Sequence, residues 1–199
     1  MANTKANVST GKPAVAGAIY RGLLGESLSL PTDATTSLDT DFKCLGYVSE
    51  DGLTNSMSGE KEEIKAWGGD PVLVTNDNQE DQFKFTLLEV LNEDVLKAVY
   101  VDENVTVVEA TTAVPKHITI VKNGAEQPYC AWVVEMLLQG DNPKRIVIPK
   151  GKISEIGEIV YKDDEAIGYE ITISAAKDTN GNTHYEYLSI GDVVPSGTT

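Results

Sequence analysis

The chain predicts a mainly β fold: an antiparallel β-sandwich or barrel-forming subunit with one packed α-helix, an N-terminal arm and a long inter-strand loop. Three observations lead there. Apolar and polar residues alternate in short windows, cleanly in "GYEITISAA" and in "DQFKFTLLEV" until Leu88 and Val90 blur the pattern. Turn-forming clusters such as "GDNPK", "KDDE" and "TNGN" separate such windows at spacings that suit hairpins. A single segment carries a helical stripe together with the polar residues that start a helix.

The 199 residues allow one domain, and a chain of this length buries ~70% of the surface its unfolded form exposes. Residues 1–41 are rich in Gly, Ala, Ser, Thr and Pro and hold no sustained period, so this arm is expected to have no core of its own and to lean on other structure. "AVAGAIY" follows Lys5 and Lys12, but Arg21 ends the run before an apolar region of signal-peptide length accumulates. Pro31–Phe42 reads as a turn-rich connection and Phe42–Val48 as a first short strand. The body is expected over 42–192, with a long loop at 52–80, and a flexible tail over 193–199.

Within the body, Phe83, Phe85 and Leu87 oppose Gln82, Lys84 and Thr86. Tyr169, Ile171, Ile173 and Ala175 likewise oppose Gly168, Glu170, Thr172 and Ser174. One face of each strand expects water. "YCAWVVEMLLQ" is apolar on both faces and is answered across "GDNPK" by "RIVIP", a hairpin. "GEIVYKDDEAIGYEITI" predicts a second hairpin, with Asp163, Asp164 and Glu165 near its tip, and "KDTNGNTHYEYLSI" a third that turns near Asn180–Gly181. The helix starts at Asn92, an N-cap; Glu93 and Asp94 suit the positive end of the macrodipole, and Val95, Leu96 and Val99 form its stripe before Tyr100. The predicted core is Phe83, Phe85, Leu87, Leu96, Val99, Trp132, Val134, Ile146, Ile148, Ile171 and Ile173.

Charge excludes more than any motif does. Sixteen basic residues against 31 acidic ones leave a formal net charge of -15, which repels a phosphate backbone over most of the surface. Nothing approaches the ~20 apolar residues of a membrane span, so no membrane partner is expected. Cys44 and Cys130 read as two inert thiols. Phosphate-loop, H-E-x-x-H and G-x-S-x-G patterns are missing from the chain, and His117 and His184 lie far apart. "DTNGNTH" resembles the start of a calcium loop, but its glycine is displaced and a hairpin turn explains it better. "KDDE" and "NED" read as a solvated turn and a helix start rather than an acid/base pair. No enzyme activity, metal or cofactor is expected.

"EEIKAWGGDPVLVTNDNQED", Glu62–Asp81, fits neither core nor linker. It sets Trp67, Val72, Leu73 and Val74 among two glycines and many acids. These apolar residues read as anchors, partly exposed in the monomer and covered on association, with the acids keeping the free subunit soluble. The other reading makes "PVLVT" a body strand and Trp67 a core residue.

The order of "LGYVSEDGLTNS", "IKAWGGDP", "FKFTLLEVLNEDVLKAVY" and "IPKG…GEIVYKDDEAIGYEITISAAKD" resembles the major tail proteins, or tail tube proteins, of long-tailed bacteriophages, most like the non-contractile type of Gram-positive hosts or a related prophage. The resemblance spans nearly the whole chain and rests on several moderate signals in order. It implies a structural subunit that polymerises as stacked homohexameric rings into a tube, an acidic-lined conduit for genome ejection. Residues 52–80 would then reach the neighbouring ring, with Trp67, Val72, Leu73 and Val74 as the ring-stacking anchors. Glu170, Thr172 and Ser174 would face the lumen, although Lys84 on the neighbouring polar face departs from an acidic wall. The implied partners are further copies of the chain, a tape measure protein and tail terminator or distal tail proteins, with DNA passing through unbound. The implied location is the virion tail, with assembly in the host cytoplasm. Two other classes share the composition: a β-sandwich binding module, such as a tail-associated or cell-surface adhesin domain, and a small β-fold hydrolase. The first would be a discrete monomer with a defined ligand site, and the second would gain stability from its ligand.

Overall fold

The computed structural model describes residues 3–14, 17–25 and 27–191, and within them all side chains but those of 6, 60–63 and 73–79. Its elements are β1 (Lys12–Pro13), β2 (Ile19–Leu23), β3 (Lys43–Cys44), β4 (Val48–Lys65), β5 (Pro71–Leu87), α1 (Glu93–Tyr100), β6 (Val105–Val108), β7 (His117–Ile120), β8 (Cys130–Leu138), β9 (Asn142–Ile156), β10 (Tyr169–Ala175) and β11 (Tyr185–Leu188). The fold is mainly β with antiparallel pairing throughout and one α-helix, as the alternation requires.

The principal sheet has the order β3-β2-β8-β9-β10-β5-β4, with β1 on β8 and β11 on β9. Its first and last strands are joined by Leu45–Tyr47 alone, a link that spans at most ~14 Å. Seven strands laid flat would separate those edges by ~29 Å. The sheet must therefore roll. Inside the roll lies one core that contains all eleven residues expected from periodicity, together with Ile19, Leu45, Ile153 and Tyr169.

Helix α1 caps this core. Asn92 Oδ1 accepts from the Asp94 amide at 3.0 Å, and Val95, Leu96, Ala98 and Val99 face inward. The helix stops at Val101, whose φ of 75° no helix accommodates. Beside it β6 and β7 form a two-stranded sheet that short windows of sequence did not reveal.

Three expectations change. The arm expected over 1–41 is tied into the sheet: Lys12–Pro13 and Ile19–Leu23 pair with β8, and Lys43–Cys44, just past it, pairs with β2. On the outer face of the sheet, Leu28, Leu30, Leu38 and Phe42 close a second apolar cluster over Ala131, Val133 and Val147. Arg145, 3% exposed, ties this segment down by donating to the Glu135 carboxylate and to the carbonyls of Asp33 at 2.7 Å and Thr36 at 2.9 Å. The apolar residues sit too far apart in a polar stretch for a period to register.

The hairpin expected around "KDDE" draws its first strand from the end of β9, with Ile156 opposite Ile171 and a connection over 157–168. The third expected hairpin does turn at Asp178–Asn182, but β11 pairs with β9 and not with β10. Both edges of β10 are already taken, by β5 and β9. The 15-residue β9 still offers a free edge past the end of β10.

Candidate functional site

Residues 52–80, expected as a long loop, are two strands. β4 and β5 run antiparallel from Val48 opposite Leu87 to Lys65 opposite Pro71. A tight turn closes them, with the Ala66 amide on the Asp70 carbonyl at 2.8 Å and the Gly69 amide on the Ala66 carbonyl at 2.9 Å. Gly68 and Gly69 take φ of 124° and 97°, which only glycine adopts without strain. No core-facing period marks the outer half of these strands, because that half has no core to face.

β10 accompanies β5 only from Asp81 to Leu87. Beyond Met57 and Asp81 the pair continues as a ribbon, without a third strand among the described residues. From Met57 to Lys65 it extends ~27 Å. Trp67 at its tip is fully exposed, at 107%, and Val72 is 62% exposed, so neither belongs to a monomer core. The backbones of Leu73 and Val74 lie opposite Ile64 and Glu63; their side chains fall outside the described residues. An isolated two-stranded ribbon is marginal in water. Its tip carries the least protected indole possible.

Where the ribbon leaves the body, Asp81 clamps it. This carboxylate is 5% exposed and accepts from Asn55 Nδ2 at 2.7 Å and Thr183 Oγ1 at 2.8 Å, with His184 Nδ1 also against it. His184 in turn stands edge-on to Phe83, centroids 5.3 Å apart. Asp81 is thus an anchor rather than one of the solubilising acids. The sequence held a signal for it: Asp81 falls in phase with Phe83, Phe85 and Leu87, an acid on the apolar face of its strand.

The opposite face of the same strands is polar. Glu170 lies opposite Thr86, Thr172 opposite Lys84 and Ser174 opposite Gln82, so the three residues expected on one wet face do share it. They are not equally wet. Glu170 is exposed along its side chain but paired with Lys84 at 2.9 Å, a hydrogen bond that raises the lysine's pKa. Thr172 is 8% exposed, flanked by the longer Lys84 and Glu155 of the neighbouring strands. Ser174 is half-buried. On β4, Thr54 and Ser56 extend the strip opposite Lys84 and Gln82.

A part-buried ion pair ties β2 to the segment that follows α1. Arg21 donates to the Asp102 carboxylate and, through Nε, to Cys130 Sγ at 3.2 Å. Burial alone would lower the Arg21 pKa, but the Asp102 and Cys130 contacts outweigh it and the net shift is upward. Burial pushes the Cys130 thiol up. Neither cysteine is in a disulfide. Asp178, in the calcium-like segment, accepts from the Asn180 and Asn182 amides and the Tyr185 hydroxyl, the bonds of a closed polar turn.

In comparison with known proteins, a family model described as phage tail tube protein matches residues 3–196. No curated protein matches the chain.

Proposed function

Because the chain belongs to the phage tail tube protein family, we propose that its sheet joins those of neighbouring copies in hexameric rings, and that these rings stack into the tail tube through which a genome leaves. The subunit is structural and its place is the virion tail; assembly in the host cytoplasm belongs to the proposal. In this reading the 58–80 ribbon reaches the adjacent ring, with Trp67 and Val72, and with Leu73 and Val74, as the contacts that stacking covers. One observation carries the reading: a ribbon with no supporting strand among the described residues ends in a fully exposed tryptophan, a state that burial against a second copy would relieve.

The polar strip of Glu170, Thr172, Ser174, Lys84 and Gln82 is the proposed lumen wall. It differs from a plainly acidic lining, since Lys84 and Glu170 compensate each other. The pair leaves this part of the wall without net charge, so it would hold phosphate less than an unpaired lysine does. Tape measure and terminator or distal tail proteins are the further partners. Electron microscopy and sedimentation of the purified protein over a concentration series test this function. Tubes or rings that grow with concentration support it, and a monomer at every concentration overturns it.

A further inference from the structure

The rolled sheet does not close. Between its edges lies a groove of about 880 Å³, walled by β1 and the end of β8 on one side and by the start of β4 on the other. Pro13, Leu53 and Met136 supply apolar wall, and the exposed acids Glu50 and Asp51 stand at the rim. A bulge shapes it: Val48 pairs with Leu87 and Leu53 with Phe85, so five residue steps on β4 oppose two on β5, and three residues are extra. Among those extra residues Ser49 turns its hydroxyl out of reach of solvent, and Oγ has no hydrogen-bond partner among the described residues. A buried hydroxyl left unpaired costs stability.

The groove flanks the first residues of β4, and Trp67 lies just beyond the last. An 18-residue strand sets these features on the order of 50 Å apart, so no subunit can fill its own groove with its own tip. Unlike surfaces at opposite poles make a heterologous contact, which propagates into an open filament instead of closing a dimer. The chemistry also matches. Ala66, Gly68 and Gly69 make the tip narrow, and Lys65 brings a cation toward Glu50 and Asp51.

We propose that this groove is the seat for the ribbon tip of a second copy, with Trp67 against Pro13, Leu53 and Met136 and Lys65 near Glu50 and Asp51. The inference rests on the reading that the ribbon joins successive rings, and adds where it lands. The test places a photoreactive benzoylphenylalanine at position 67 of the full chain and assembles an equal mixture of ¹⁵N-labelled and unlabelled copies. Adducts are mapped by mass spectrometry after illumination. Mixed-isotope adducts on segments 11–14, 48–53 or 134–136 are expected. Mixed-isotope adducts elsewhere overturn the groove while leaving ribbon-mediated stacking intact. If Trp67→Ser assembles as readily as the parent, the stacking reading itself falls, and the groove with it. As a second arm, Ser49→Phe plugs the seat from within and should raise the concentration needed for assembly by roughly ten-fold or more, a change of about 1.4 kcal/mol. Assembly of a folded Ser49→Phe at the parent's concentration overturns the inference; should that variant misfold, the adduct map decides.

Discussion

Lys84 Nζ donates to Glu170 Oε1 at 2.9 Å, across two strands of the polar face proposed to line the channel. Each ring would repeat this pair around the lumen. Glu170→Lys removes the acceptor and sets two ammonium groups side by side on that wall. We expect tubes of this variant to form, because the position is open to water, and genome ejection from virions that carry it to slow, with the delay shrinking as salt is raised. The exchange Lys84→Glu with Glu170→Lys restores the pair and should restore the parental rate. Unchanged ejection of Glu170→Lys at low salt would remove this face from the lumen.

Trp67 and Trp132 are the chain's two tryptophans, one fully exposed and one in the core. In a Trp132→Phe background, emission therefore reports the ribbon tip alone. Assembly should shift that emission to the blue and protect it from acrylamide. Trp67→Ser and Val72→Ser should each change monomer stability by no more than ~0.5 kcal/mol, as exposed substitutions do, while weakening assembly. An early monomer melt would argue that the tip packs on its own body.

Arg145 joins the 28–42 segment to the sheet through Glu135 and two backbone carbonyls. Arg145→Ala strands the partly buried Glu135 and both carbonyls, and is expected to cost ~3–5 kcal/mol. Chemical denaturation measures that loss, and protease cleavage within 28–42 should appear with it. Truncation gives the companion result. Removing residues 2–10, where every described side chain is exposed, should leave a folded monomer. Removing residues 2–24 takes away buried Ile19 and Arg21 and should not.

The Asp33 carboxylate accepts from the Thr36 hydroxyl and from the amides of Thr36 and Thr35, bonds that hold its pKa well below the usual carboxylate range. The folded value lies below the unfolded one, about 3.9. The contribution is therefore whole above that value and is lost as pH falls from about 4 toward the folded pKa. Amide exchange at Thr35 and Thr36 should accelerate over this window, relative to core amides. Asp33→Asn should flatten that dependence; an identical profile in the variant would assign the acid response elsewhere.

Periodicity alone determined the parts of the protein that depend on neighbours two residues away. Phe83, Phe85 and Leu87 had to share a face, as did Ile171 and Ile173, because a strand alternates whatever it pairs with. The capped helix at Asn92 was likewise legible, since its start signals and stripe lie within one short segment. The order of the segments was enough for the family resemblance, and the family match agrees with it.

Tertiary structure alone decided which strand meets which. β11 lies on β9 because both edges of β10 were occupied, a fact about distant segments that no local window contains. The 19–44 segment became sheet and second core because β8 offered it an edge and Arg145 a clamp, across more than a hundred residues. Residues 52–80 hid their strands for the opposite reason. Alternation is written by a core, and a ribbon that leaves the body has none, so its pairing rests on backbone hydrogen bonds that any side chains permit.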